Sequence, residues 1–319
     1  MTQPMQSLRS NVLRSLRRLA KGVTRGARRV DLYLSLKVSM SDRYHPRPDD
    51  LFIASFAKSG TTLMQMMLYQ LTTAGEMDFP HIASVAPWFE SCLQEDQAKF
   101  FDEMASPRIF KSHLSYARMP RGVKIIYLAR DFRDVAVSAY HHDCLVSGCD
   151  LDFASHVDRF IAGKGRFGSW YAHLRSWWPH RNDPNVLFLL YEEIVADLPA
   201  AVRRVADFCN LPLDERKQAR VVECCRVSFM KQHAEKFDPR LSQLSPRRRS
   251  FIRNGVSGEG RRTLSSRQEE QIVQRLAELA RELGCAPEEP FRELLFPGAP
   301  DASRAGRPEA GAPALGAPL

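Results

Sequence analysis

The sequence predicts an α/β fold, a parallel sheet flanked by helices in a single domain, and three observations carry that prediction. Strand-like apolar runs alternate with longer helix-like segments from Leu51 to about Phe296. The first run, Leu51-Phe-Ile-Ala-Ser-Phe56, is mostly apolar and reads as a buried parallel strand. It ends in Ala57-Lys58-Ser59-Gly60-Thr61-Thr62, a short polar turn, after which an apolar segment runs without Pro or Gly as far as Gly75. Strand, tight polar turn and helix start together make an anion cradle. Backbone N–H groups and the helix dipole point at one spot, and Lys58 adds a full positive charge there. The expected architecture is therefore P-loop-like.

Strands are predicted at Leu51–Phe56, Arg108–Lys111, Val123–Ala129 and Val186–Tyr191. Helices are predicted at Thr61–Thr72, Arg133–Leu145, Gly168–Trp178, Leu198–Asn210, Asp214–Cys225 and Ser266–Leu283. Asp197 ahead of Leu198-Pro199 reads as an N-cap with Pro in the first turn, and Ser266 with Glu269 fits a capping box. Gly284 is placed to stop the last helix. Phe237–Arg249, with two Pro and a run of three Arg, reads as a mobile loop. The Ala/Gly/Pro-rich tail 297–319 reads as disordered. The organisation expected is a basic arm over 1–45, one domain over 46–296, and the tail.

Composition limits the function. With 44% apolar residues the chain can bury one sizeable core, and no run approaches the ~20 apolar residues of a membrane helix. The N-terminus lacks the apolar stretch of a secretory signal, and seven cysteines with no C-x-x-C pair fit reduced thiols, so a cytoplasmic location is expected. The net charge of +9 is concentrated in residues 1–30, which hold Arg9, Arg14, Arg17, Arg18, Lys21, Arg25, Arg28 and Arg29 and no acidic residue. The remainder is near balance, so nucleic acid is not an expected partner of the main domain. Leu8, Val12, Leu16, Leu19 and Val23 recur three or four apart along the arm. An arm of this kind touches anionic membrane or an anionic partner, or is a solvated helix capping the domain; its composition is also that of an organelle transit peptide.

The motifs narrow the chemistry. In a Walker loop the glycines precede the lysine, whereas here Lys58 precedes Gly60. The order Lys-Ser-Gly-Thr-Thr instead resembles the 5′-phosphosulfate loop of the cytosolic sulfotransferase family. Further matches follow in the family's order. Pro107-Arg-Ile-Phe-Lys111-Ser-His113-Leu is similar to the strand ending at the family's catalytic histidine. Lys124-Ile-Ile-Tyr-Leu-Ala-Arg130 through Ser138 is similar to its 3′-phosphate segment. Phe251-Ile-Arg253-Asn254-Gly255 is similar to its closing loop. Gly168-Ser-Trp170, Trp177-Trp178, Tyr191-Glu-Glu and Ser228-Phe229 lie between them, and the resemblance covers roughly Asp49 to Leu283.

The resemblance implies a donor, 3′-phosphoadenosine 5′-phosphosulfate, as co-substrate, with no metal, and an alcohol, phenol or amine as small-molecule acceptor. It gives Lys58 the departing 5′-phosphate, where a fixed ammonium stabilises developing charge, with Ser59, Gly60, Thr61, Thr62 and Leu63 completing the loop. Lys111 and His113 sit at alternate positions of an extended segment and share a face. A histidine with a pKa near ~6.5 can take the acceptor proton at neutral pH. Arg130, as a fork, and Ser138 are assigned the 3′-phosphate, joined by Arg253, Asn254 and Gly255; a salt bridge from Arg130 to Asp131 or Asp134 is the alternative. Phe229 is assigned adenine stacking or, alternatively, the core, and Tyr191 and Ser228 the nucleotide. Acceptor-pocket candidates are Phe79, His81, Trp88, Phe89, His141 and His142; Trp170, Trp177 and Trp178 read as packing residues.

The chain departs from the family in four places. Ala57 and Leu63 replace the loop's usual Pro and Trp, and losing that aromatic plate weakens adenine stacking by ~1 kcal/mol. Asn254 replaces a Lys, Gly258-Glu-Gly260-Arg replaces Gly-Asp-Trp-Lys, and Arg261–Glu270 lacks the Thr-Val of the dimerisation motif, leaving oligomeric state open. Two other readings stand beside the sulfotransferase: a nucleotide kinase-like phosphotransferase, and an inactive scaffold binding nucleotide or membrane.

Overall fold

A computed structural model of the chain describes residues 44–73, 77–94, 99–238, 251–253, 255 and 257–285. In chain order the elements are β1 (Leu51–Ser55), α1 (Thr61–Thr72), α2 (Ile82–Val85), α3 (Phe89–Gln94), α4 (Lys99–Glu103), β2 (Ile109–Ser112), β3 (Lys124–Ala129), α5 (Phe132–Ser147), α6 (Phe153–Ile161) and α7 (Trp170–Trp177). They continue as β4 (Val186–Leu190), α8 (Tyr191–Ala196), α9 (Leu198–Cys209), α10 (Glu215–Cys225), α11 (Val227–Gln232), α12 (Glu259–Thr263) and α13 (Ser266–Glu282). Every predicted strand and helix forms, with ends shifted by a residue or two. The α/β fold class is as the sequence predicts. The basic arm, the Ala/Gly/Pro tail and residues 239–250 of the predicted loop lie outside the described residues.

Two compact units contain these elements. The first runs to Ala129 and resumes from His180 to Gly255; the second comprises Arg130–Pro179 and the described residues from Ser257 on.

The first unit holds the whole sheet, parallel throughout, in the order β2-β1-β3-β4. The register sets Leu51 beside Ile109 and Lys124, and Ile125 beside Val186. Both faces are covered, which explains why the strands carry apolar residues at nearly every position. Leu51 and Ile53 join Met64, Met67 and Leu68 of α1 in one core cluster. On the alternate positions Phe52 and its register partner Phe110 stack at 4.9 Å, surrounded by Tyr44, Phe89 and Phe101. Phe237, predicted to open a mobile loop, is instead buried in the first cluster, an apolar ring that pays no desolvation cost there.

A buried ion pair fixes the amino ends of β1 and β2. Asp50 and Arg108 are both fully buried, and the Arg108 Nε and Nη2 donate to the two Asp50 oxygens at 2.7 and 2.6 Å. Tyr44 Oη and the Arg47 N–H also donate to Asp50, and Arg108 reaches the carbonyls of His45 and Phe101. Burial, together with the hydrogen bond to Asp50, pushes the Tyr44 phenol pKa up. The pair is densely hydrogen-bonded, the condition under which a buried charge is tolerated.

The second unit is helical. Asp131 caps α5 by accepting from the Arg133 N–H, and Arg133, itself buried, donates to the Glu269 carboxylate on α13. Asp134 accepts from the backbone N–H groups of Gly258 and Gly260 at 2.9 and 2.8 Å. The capping box of α13 is Ser265 with Gln268, one residue earlier than predicted, because Ser265 is extended while Ser266 is already helical. Glu269, predicted to fill that role, is engaged by Arg133. Asp197 caps α9 as predicted, and Gly284 follows α13 with a φ of +61°. Trp170, Trp177 and Trp178 are buried packing residues. All seven cysteines remain as thiols. Among the described residues no helix is long and apolar enough to cross a membrane.

Replacing Arg108 by Leu strands the Asp50 charge in the interior. Urea denaturation should show a loss of ~3–5 kcal/mol; an unchanged midpoint would contradict the role given to this pair.

Candidate functional site

The strand order dictates where a ligand fits. β2 lies on one side of β1 and β3 on the other, so the chain reverses direction beside β1, and in parallel sheets of this kind ligands bind outside the carboxyl ends of the strands at such a point. The polar turn predicted to cradle an anion emerges there. Lys58 takes a left-handed conformation, φ +75°, uncommon for a residue with a side chain. Gly60 is the N-cap of α1 with φ +100° and supplies no side-chain cap, leaving the first-turn N–H groups of a twelve-residue helix to an outside acceptor. Ser59 is fully buried, and among the described residues its hydroxyl oxygen has no hydrogen-bond partner. These features fit a phosphate or phosphosulfate group.

Several distant segments meet at this turn. A Cβ on Gly60 would lie 2.5 Å from the Tyr191 ring at the start of α8, so only glycine permits that approach. The Tyr191 hydroxyl donates to the Gly255 carbonyl at a long 3.5 Å. A Cβ on Gly255 would lie 2.2 Å from Val227, the first residue of α11, which also carries Ser228 and Phe229. The Lys58 ammonium sits 4.8 Å from the centre of the Phe251 ring, two residues before Arg253. The Lys58–Gly60 turn, Tyr191, Phe251, Gly255 and α11 thus form one chain of contacts, all within the first unit. Leu63 is half-buried against the α1 core cluster; Phe229 packs against the same cluster and lies 4.7 Å from the His233 ring. Asn254 lies outside the described residues.

Lys111 and His113 flank the buried Ser112 at the end of β2, both half-buried. His113 Nδ1 faces the Ser55 carbonyl at 2.9 Å. A carbonyl only accepts, so Nδ1 carries the proton and the neutral ring keeps its lone pair at Nε2. The open edge of β2 is covered by Pro87 and Trp88: the Lys111 N–H donates to the Pro87 carbonyl at 2.8 Å, and Trp88 bridges to Lys111. The Trp88 ring meets the His113 ring edge-on at 5.5 Å and lies 5.0 Å from the Lys111 ammonium. Burial lowers the Lys111 pKa, while Glu90 raises it.

Of the predicted acceptor-pocket residues, Trp88 fits, being about one-third exposed beside His113. Three do not. Phe89 is fully buried in the aromatic cluster, Phe79 packs on Tyr69 in the core, and the His81 ring is occupied capping α2. His141 and His142 lie half-buried on α5 in the second unit, against Tyr140 and Phe167. Arg130 and Ser138 also belong to that unit. Arg130 immediately follows β3 and sits 3.5 Å from Asp134, the alternative partner the sequence offered, while Ser138 is buried in α5. Sequence reading missed Glu90 and Phe251. An acid following the apolar Ala86–Phe89 run was the available signal for Glu90; Phe251 had none beyond its motif.

A model of the sulfotransferase domain matches residues 48–284. Human sulfotransferase 1E1 is 33% identical over 237 residues, 68% of this chain and 79% of that protein. The luciferin sulfotransferase of Photinus pyralis is 31% identical over 246 residues, 66% of each. Among solved structures, retinol dehydratase in complex with androsterone and inactive cofactor PAP aligns with a TM-score of 0.66 at 24% identity, covering 78% of this chain and 85% of that one. Mouse sulfotransferase SULT7A1 complexed with PAP aligns with a TM-score of 0.60 at 24% identity, covering 76% and 87%. These two likenesses concern the fold.

Alanine at Gly60 meets both a positive φ and the Tyr191 ring. Gly60→Ala should cost ~1–3 kcal/mol in thermal denaturation; a protein as stable as the wild type would contradict the close approach.

Proposed function

The chain belongs to the sulfotransferase family, and from that premise we propose that it transfers a sulfuryl group from 3′-phosphoadenosine 5′-phosphosulfate to a hydroxyl, or an amine, of a small hydrophobic acceptor. The single observation that carries this reading is the placement of His113. Its Nδ1 is committed to the Ser55 carbonyl, so the proton-accepting nitrogen is Nε2, on the strand that also bears Lys111.

In this reading the uncapped start of α1, with Lys58, Ser59, Gly60, Thr61, Thr62 and Leu63, holds the 5′ end of the donor. Lys58 stabilises the charge that develops on the departing phosphate oxygen, and Lys111 faces the sulfuryl oxygens. Tyr191, Ser228 and Phe229 contact the nucleoside. The 3′-phosphate is assigned on the family resemblance alone, which gives it Arg130 and Ser138 of the second unit and the Arg253-Asn254-Gly255 stretch of the sequence. When bound, the donor supplies the sulfuryl group, which passes directly to the acceptor without a covalent enzyme intermediate. His113 accepts the acceptor proton at Nε2. No metal takes part. Trp88, about one-third exposed beside the His113 ring, favours an acceptor of that kind. Seven reduced thiols fit a cytoplasmic enzyme.

Incubation with radiolabelled donor and a panel of phenols, sterols and alcohols should yield labelled product. His113→Ala should lower kcat by about 10²–10⁴-fold and Lys58→Ala by about 10²–10³-fold. Donor binding with no transfer to any acceptor would favour the scaffold. A rate abolished by chelator and restored by a divalent metal would favour a phosphotransferase.

A further inference from the structure

Two buried carboxylates take backbone N–H groups beside residues assigned to the site. One is Glu90, whose Oε1 accepts from the His113 N–H at 2.6 Å. The other is Asp134, on the first turn of α5, and the mechanism above does not use it. Its Oδ1 accepts from the Gly260 N–H at 2.8 Å and its Oδ2 from the Gly258 N–H at 2.9 Å. These N–H groups belong to the start of α12, and its N-cap, Gly258, has no side chain to satisfy them. Asp134 therefore caps that helix from another element. The fit is close: a Cβ on Gly260 would lie 2.5 Å from the Arg133 carbonyl carbon. Arg130 is the third partner, its Nη2 lying 3.5 Å from Asp134 Oδ2. All of these residues belong to the second unit.

We propose that Asp134 is a positioning residue for the donor's 3′-phosphate, acting through Arg130. The proposal rests on the sulfotransferase reading, which assigns that phosphate to Arg130. A guanidinium is a rigid fork, and it grips a phosphate with two N–H groups only when the fork is turned toward it. Asp134 gives that orientation a fixed reference, because two backbone donors hold both of its oxygens. The distances separate steering from competing. Both glycine contacts have the length of charge-assisted hydrogen bonds, whereas Arg130, at 3.5 Å, lies beyond it. Asp134 thus commits itself to the backbone and steers the guanidinium without tying it up. The other charges of this turn pair elsewhere: Arg133 with Glu269, and Asp131 with Arg133 and, at 3.8 Å, with Arg261.

Asp134→Asn keeps the size of the side chain, removes its charge and leaves one accepting oxygen for two glycine donors. The test is calorimetric titration of the wild type and of D134N with adenosine 3′,5′-bisphosphate and with adenosine 5′-monophosphate. The wild type should bind the bisphosphate more tightly. D134N should lose about tenfold of that preference, because only the 3′-phosphate depends on the aim of Arg130. An equal loss for both nucleotides would mean a purely structural role and overturns the proposal. A preference that persists or grows would mean that Asp134 is idle or competes with the phosphate for Arg130, and overturns it too. The wild type supplies a second arm if D134N does not fold. The amide protons of Gly258 and Gly260 report on the Asp134 carboxylate, and their NMR signals should shift with the bisphosphate and stay in place with the monophosphate. Signals unmoved by the bisphosphate overturn the proposal equally. Wild-type protein with no preference between the nucleotides would instead contradict the functional reading, so the two failures are distinct.

Discussion

The parallel pairing of β1 with β2 is the constraint on which the rest of the site depends. Asp50 and Arg108 bind one residue ahead of each strand, deep in the interior, so the two strands start level. Four paired positions later they end level, with Ala54 beside Ser112. The next residues on each are Ser55 and His113, and the histidine ring takes the carbonyl that the ladder leaves at its end. A slip of one residue would turn every side chain of β2 to the other face and send Lys111 and His113 into the core. Placing the proposed base is thus a consequence of strand register, and register is held by a charge pair at the opposite end of the sheet.

A second constraint acts through space left empty. Gly60 and Gly255 are positions where a single added carbon would collide, with Tyr191 in one case and Val227 in the other. The missing side chains let the Lys58–Gly60 turn, α8, Gly255 and α11 touch in sequence. The left-handed Lys58 is the strained member of this assembly, held over Phe251. Strain at a residue proposed to meet developing charge is consistent with a loop organised before its ligand arrives.

Much of this was legible in the residues, for identifiable reasons. The strands announce themselves because a sheet covered on both faces must be apolar throughout, and Asp197 and Gly284 mark helix ends because orphaned backbone groups need them. The turn was legible because an apolar run ends in polar residues with a glycine just before a second apolar run begins. Partnerships between distant residues were not. Nothing adjacent to Asp50 or Glu90 in the chain reveals Arg108 or His113 as the partner. Phe79 and Phe89 look like pocket aromatics in sequence; only packing shows that both belong to the core. The capping box differs by one residue because two serines stand together, and the extended one, Ser265, is the cap while Glu269 pairs with Arg133, 136 residues away.

The tautomer of His113 tests the central claim most directly. Nitrogen-15 NMR of the protein with labelled histidine, above the pH at which the ring loses its second proton, distinguishes the two ring nitrogens. The account predicts a proton on Nδ1 and a pyridine-type signal at Nε2. A proton on Nε2, with Nδ1 bare, would mean that the ring does not bind the Ser55 carbonyl and that the base is not held where the strand register puts it.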